Sequence, residues 1–299
     1  MKRLKKSYIW ILSVLFVFSV IYFSINPSAL RELYETVGLK PAVSEGNLNI
    51  FFIDVGQGDA ALITDGEHNV LIDAGDITSK AIVETFLVEA EVDKLDVVIA
   101  SHAHSDHIGE MAAILNRFET GKVYLPSMSD KVIPTTVCFN NMLDAIEDNN
   151  IESELLVKGD NFTVGDIEFE VLSPSKLYDD LNNTSLVLRV SYFNTSFLFC
   201  GDAEELVEND ILENDLYLSS DLIKIGHHGS NTSSSQKFLN KVSPDYAIIS
   251  VGEDNRYNHP SKITLNKLKD MNIKYYRTDI YGTICVISDG NNLEIKTEK

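Results

Sequence analysis

The chain has 299 residues, enough for one large domain or two small ones, and its 44% hydrophobic and 23% charged content excludes wholesale disorder. Lys and Arg number 25 against 45 Asp and Glu, and four of the 25 (Lys2, Arg3, Lys5, Lys6) fall in the first six positions, so residues 7–299 carry a net −24. A broad basic face for nucleic acid is thereby excluded, and no stable nucleic-acid complex is expected, because phosphate neutralisation needs clustered Lys and Arg.

No charged side chain occurs between Ser7 and Leu30, and the strongly apolar stretch Tyr8–Ile25 is 18 residues long, just enough to cross a bilayer core. The basic residues before it place the rest of the chain outside the cell. Residues 1–28 therefore read as a single-pass membrane anchor. A cleaved signal peptide, which would make the protein secreted, is the rival reading; Ile21-Tyr22-Phe23 is bulky where cleavage needs small residues. Residues 29–47 read as a stem broken by Pro and Gly.

From residue 48 the pattern alternates strands and helices. Strands are expected at 48–55, 60–64 and 69–73, a helix at 77–90, a strand at 95–100, a helix at 108–118, a short strand at 122–125 and a helix at 137–149. Strands follow at 154–158, 162–172, 185–192 and 196–200. The later half repeats the alternation, with helices at 203–211, 234–241 and 261–271. Its strands are expected at 221–226, 245–251, 274–277, 282–288 and 292–297. Two blocks of strands, each followed by helices, imply two sheets with helices outside, in one domain over 48–299. Cys138, Cys200 and Cys285 have apolar neighbours and no CxxC spacing. They read as buried free thiols.

Chemistry concentrates in the seven histidines. His102, His104 and His107 fall within six residues, with Asp106 between the last two, after an apolar strand. In an extended loop residues i and i+2 share a side, so His102 and His104 can grip one cation while Asp106 and His107 face a second. Asp202 ends the apolar strand 196–200 and can bridge two cations with its two oxygens. His227 and His228 end another strand; adjacent side chains diverge there, so His228 is taken as a ligand and His227 as facing substrate. Arg256, Tyr257 and His259 follow a further strand and suit an anion or a leaving oxygen. His68 lies in a hairpin turn and reads as solvated.

Together these residues resemble the metallo-β-lactamase superfamily. His102-x-His104-x-Asp106-His107 is similar to its signature, and Leu71-Ile-Asp73-Ala-Gly75 to its first motif. More narrowly the chain resembles the ComEC-type competence hydrolase subgroup. That likeness is carried by Asp54-Val-Gly56-Gln57-Gly58-Asp59, Asn183-Thr-Ser185, Gly201-Asp202-Ala203, Lys224-Ile-Gly-His227-His228-Gly-Ser230 and Asn255-Arg-Tyr257-Asn-His259-Pro260. Teichoic-acid phosphorylcholine esterase resembles the same subgroup. The resemblance implies an αββα sandwich with two metal ions at one sheet edge. It departs from the family in having no His between His107 and Asp202, where a third ligand to the first ion usually lies; water, Asn183 or Asp180 is the substitute. With one apolar segment and no channel, the chain is not expected to move DNA by itself.

The expected function is a cell-surface, metal-dependent hydrolase, most readily a phosphodiesterase of nuclease or phosphocholine-ester type. Two Zn²⁺ ions, with Mn²⁺ an alternative, would activate a water that Asp106 or Asp202 orients. His227 or His259 would serve the leaving group. Asn183, Glu204, Ser230, Arg256 and Tyr257 are the expected substrate contacts. A lactonase or β-lactamase, and a non-catalytic metal-binding surface protein, are the alternatives.

Overall fold

The computed structural model describes Tyr22, Pro41 and residues 43–79, 81–214 and 216–299. The membrane segment expected over Tyr8–Ile25 lies outside the described residues apart from Tyr22. Among the described residues no helix is long and apolar enough to cross a membrane.

Residues Val43–Lys299 form one compact unit. Six strands come first: β1 (Leu48–Phe52), β2 (Ala61–Thr64), β3 (Asn69–Ile72), β4 (Lys94–Ile99), β5 (Glu119–Pro126) and β6 (Glu152–Leu156). Seven follow: β7 (Asn161–Val164), β8 (Ile167–Ser173), β9 (Val187–Tyr192), β10 (Thr195–Phe199), β11 (Leu222–Lys224), β12 (Tyr246–Ile249) and β13 (Lys274–Arg277). The last two, β14 (Ile284–Ser288) and β15 (Leu293–Thr297), return to the first sheet. That sheet runs β15-β14-β1-β2-β3-β4-β5-β6, and the second runs β13-β12-β11-β10-β9-β8-β7.

Alternating side chains split the strands between layers. Ile50 and Phe52 join Phe169, Leu188, Phe197 and Phe199 in the core between the sheets. Phe51 and Ile53 face the other way, toward Val83, Leu87, Ile114 and Met142 on the outer helices. On the far side Leu198, Ile223 and Ile249 pack on Phe238, Leu239 and Leu268. The layers are therefore helix, sheet, sheet, helix. Burying one such Leu or Phe stabilises the fold by roughly 1.5–3 kcal/mol. All three cysteines are buried and free.

The sandwich sets up the site through strand direction. β3, β4 and β5 are parallel, as are β10, β11 and β12. Their carboxyl ends share an edge of each sheet, the usual place for ligands in such sheets.

Several elements differ from the sequence reading: the strand expected over 48–55 ends at Phe52, and a one-turn helix forms at Thr278–Tyr281 where none is expected. The helix expected over 77–90 is a single turn at Ile77–Ser79 followed by a helix at Ile82–Glu89, with Ala81 left-handed at φ 62° between them. The helix expected over 108–118 is a one-turn helix at Ser105–Ile108 and a second at Met111–Arg117. Gly109, between them, is the residue the close packing requires, since a Cβ there would overlap the Asp76–Ile77 backbone. The strand expected over 162–172 is a hairpin turning at Gly165-Asp166.

Candidate metal centre

Every donor stands just beyond the carboxyl end of a strand. Asp73 follows β3, His102 to His107 follow β4, Asp202 follows β10 and His228 follows β11. His102, His107, Asp202 and His228 are all buried, at 0–2% exposure, although each carries polar atoms.

His102 Nε2 and His104 Nδ1 lie 3.0 Å apart. Two nitrogens on one tetrahedral ion with bonds of about 2.05 Å would sit roughly 3.3 Å apart. Around a second point, His228 Nε2 is 3.3 Å from Asp106 Oδ2 and 3.8 Å from Asp202 Oδ2. Asp202 Oδ1 is 3.3 Å from His107 Nε2, and its Oδ2 is 3.9 Å from His102 Nε2. Asp202 thus lies between the two donor sets. Single donor atoms of His102, His107 and Asp202, and of Asp106, His107 and His228, fall within 4.8 Å of one another.

The test of fit is what these atoms bond to. His107 Nε2, His228 Nε2 and Asp202 Oδ1 are buried without a hydrogen-bond partner. Buried polar atoms are nearly always satisfied, and leaving one unsatisfied costs about 1–3 kcal/mol. Three such atoms converging suit divalent cations and nothing apolar.

The opposite ring nitrogens are held. His107 Nδ1 is 2.8 Å from Asp73 Oδ2, and Asp73 also accepts from the Ser101 N–H and hydroxyl, both at 2.7 Å. His228 Nδ1 is 3.0 Å from the Ser250 carbonyl. Each contact holds a proton on Nδ1 and turns Nε2 to the centre, the orienting arrangement of metal-binding histidines. His227 and His228 both adopt left-handed backbone, φ 49° and 52°. Such backbone costs roughly 1–3 kcal/mol per residue, and the two rings stand 6.2 Å apart at 68° to one another.

Charge is unevenly distributed. Burial pushes His102 well below its usual range, helped by His107. Burial acts the same way on His107 but is outweighed by Asp202 and Asp73, which hold it well above its usual value. His228 also overcomes burial, through Asp202 and Asp59, and is raised to about 10. Asp202 is held well below the carboxylate range, as His107 and His228 outweigh its burial. The protein thus keeps carboxylates ionised around positions that demand positive charge.

A cleft of about 240 Å³ opens on this centre, lined by His104, Asp106, Asn182, Asp202, His227, Tyr257 and His259 among others. His227 Nε2 is 3.8 Å from Asp202 Oδ2, and its ring is 5.6 Å from that of His259. Tyr257 stacks on His259, and Arg256 lies over the Tyr257 ring at 4.8 Å. A wider groove of about 700 Å³ shares Gln57, Ser105, Asp106 and Tyr257 with the cleft and adds Arg256. Glu204 Oε1 is 3.6 Å from His227 Nδ1.

Three expected substrate contacts lie elsewhere, Glu204 among them, since it lines neither the cleft nor the groove. Asn183 Nδ2 donates to Asp180 and Glu204, and its neighbour Asn182 lines the cleft instead, with Oδ1 buried and unpartnered. Ser230 Oγ is engaged by Thr232 at 3.0 Å and lines neither the cleft nor the groove. His68 sits in its turn, 3.0 Å from Asp65. Asp73 and Asp59 stand within the sequence motifs, and neither is an expected site residue. A charged residue just past an apolar strand was the available signal. For Asn182 there was none.

Residues 53–253 match the model of the metallo-beta-lactamase superfamily. The chain belongs to this superfamily. Within it the chain is of the ComEC-type subgroup. It is 30% identical over 305 residues to ComE operon protein 3 of Bacillus subtilis (strain 168), covering 91% of this chain and 38% of that protein. It is 33% identical over 267 residues to competence protein ComA of Neisseria gonorrhoeae, covering 87% and 35%. The chain therefore spans little more than a third of these relatives' length. Igni18, a metallo hydrolase from Ignicoccus hospitalis, superposes with a TM-score of 0.53 at 13% identity, covering 80% of this chain and 98% of that one. That likeness shows the fold. Together these findings describe a metal-dependent hydrolase of the metallo-β-lactamase type related to competence proteins.

Proposed function

We propose that this hydrolase is a two-ion phosphodiesterase, anchored by residues 8–25 on the outer face of the cell membrane. The observation that carries it is the pairing of unsatisfied donors with a cleft lined by Tyr257 and His259 that meets a wider groove holding Arg256. His102, His104 and Asp202 would hold one ion, and Asp106, His107, His228 and Asp202 the other. Asn182 Oδ1, unpartnered at the cleft wall, would complete the first set. The mixed N and O donors suit Zn²⁺ or Mn²⁺. Bound ions of this kind supply Lewis acidity and a water whose pKa falls toward ~7.

The chain's own residues do the rest. Asp106 and Asp202 orient the attacking water through their carboxylates. His227 presents Nε2 toward Asp202 and serves the leaving oxygen, with His259 beside it. Arg256 offers a fixed positive charge to a phosphate. It also occupies the Tyr257 ring that a choline cation would need. This favours a phosphodiester chain over a phosphocholine ester. Nucleic acid is the natural candidate given the names of the relatives, met transiently because the surface is acidic.

The test is metal content measured beside activity on bis-p-nitrophenyl phosphate, p-nitrophenyl phosphocholine, single-stranded DNA and a lactone. Two ions per chain and turnover of the phosphodiesters are expected. Lactone cleavage without phosphodiester cleavage would transfer the reading to the lactonase class. In intact cells, protease added outside should digest residues 47–299.

A further inference from the structure

The donors come from two halves of the molecule. His104, Asp106 and His107 follow β4 of the first sheet, while Asp202 and His228 follow β10 and β11 of the second. Asp106 and His228 must meet at 3.3 Å across that divide. The core between the sheets is apolar, and apolar packing is non-directional. A functional site needs its parts held within about 0.5 Å. Something directional has to fix the spacing.

Lys224 and Asp59 are placed for this. Lys224 ends β11, Asp59 lies between β1 and β2, and both are buried, at 3% and 6% exposure. Lys224 Nζ donates to Asp59 Oδ2 at 2.7 Å and to the Ile225 carbonyl at 3.1 Å. Asp59 is tied on its other sides too. Its N–H donates to the Asp106 carbonyl at 3.1 Å and its carbonyl accepts from Gly75 at 2.8 Å, while its Oδ1, buried without a hydrogen-bond partner, lies 3.3 Å from His228 Nδ1. Gly58 permits the approach, since at φ 149° a Cβ would overlap the Asp106 carbonyl. One residue therefore touches the backbone of a donor from the first half and the ring of a donor from the second. A cavity of about 20 Å³ beside the pair is lined by Phe52, Leu188 and Phe199 together with Asp73, Ser101 and Ser250.

A buried ion pair is weak evidence for stability, because apolar residues of similar volume usually serve a core as well. We propose that Lys224 and Asp59 are a positioning clamp between the two sheets that sets the spacing of Asp106 and His228 at the second ion. They are positioning residues: Lys224 is a cation, and Asp59 Oδ1 faces His228 Nδ1, the ring nitrogen turned away from the centre. The proposal rests on the metal-centre reading above.

The test uses the whole chain with Lys224→Met and Asp59→Asn combined, which removes both charges and leaves neither buried alone. Stepwise Zn²⁺ affinities are read by chelator competition, the visible spectrum is read with Co²⁺, and a thermal midpoint is taken with chelator present. The double variant is expected to fold and to bind the first ion within about threefold of wild type. It should bind the second about 10–100-fold more weakly, with a changed Co²⁺ band, as for other residues that orient metal ligands. Unchanged affinities and spectrum would overturn the clamp. So would a double variant that fails to fold, since the pair then belongs to the fold. A wild type that binds no ion would instead remove the metal-centre reading, and the clamp with it.

Discussion

His107 Nδ1 and Asp73 Oδ2 meet at 2.8 Å with both side chains sealed from solvent. Asp73 is itself left-handed at φ 61°, so the backbone bends to deliver this carboxylate. The contact fixes which nitrogen of His107 is protonated and which faces Asp202. It would also let Asp73 act on ion affinity through the His107 ring.

Asp73→Ala should therefore weaken ion binding by about 10–100-fold, the range seen when carboxylates behind metal-binding histidines are removed. Titration with Zn²⁺ against a chromophoric chelator measures this. An unchanged affinity would show that Ser101 and burial alone orient the ring.

Stability of the chelated protein should depend on pH through His228. The ring is raised to about 10, because Asp202 and Asp59 outweigh burial. The folded chain then keeps a proton that the unfolded chain loses near its ordinary value of about 6.5. That contribution is complete below about pH 6.5 and is lost as pH rises toward 10. His107, also raised, acts in the same direction. The low-held Asp202 contributes above the ordinary carboxylate range and loses its share only in acid. With chelator the thermal midpoint should fall from about pH 6.5 to about 10; with saturating Zn²⁺ the fall should be much smaller. Parallel curves would contradict the assignment of these rings to ions.

How much of this was written in the sequence depends on distance along the chain. His102, His104, Asp106 and His107 are legible because six residues after an apolar strand carry four donors. The layered fold is legible because apolar strands and helices alternate. The Lys224–Asp59 pair is not, since its members are 165 positions apart and only the sandwich joins them. Lys224 is a lysine at the end of an apolar strand, which signals a buried partner without naming it. The choice between Asn182 and Asn183 was equally hidden. A single turn of 3₁₀ helix at Asn182–Thr184 decides which amide faces the cleft and which caps toward Asp180.

That turn yields its own prediction. Asn182→Ala should weaken the first ion by roughly tenfold while leaving the second unchanged, since Oδ1 at the cleft wall is the atom without a partner. Asn183→Ala removes the amide joined to Asp180 and Glu204, and should alter folding stability more than ion affinity. Stepwise affinities and thermal midpoints on both variants separate the two. The reverse pattern would return Asn183 to the ion.

The weakest link between site and reaction is His259, and it can be isolated. Its ring is half-buried, with Nδ1 unpartnered, 5.6 Å from His227. Burial, then His227 and His228, lowers its pKa, so it meets substrate as a neutral ring able to donate one N–H. The loop does not depend on that ring: Asn255 holds the His259 backbone from both sides, accepting its N–H at 3.0 Å and donating to its carbonyl at 2.7 Å. His259→Ala should therefore leave fold and ion content intact. Losing a donor aimed at developing charge costs about 10²–10³ in turnover, and that is the expected drop on a phosphodiester. His104→Ala should lower both ion content and rate, because its Nδ1 lies 3.0 Å from His102 Nε2, where the two would share the first ion. Full turnover in His259→Ala would assign the residue to the cleft wall and leave His227 alone at the leaving group.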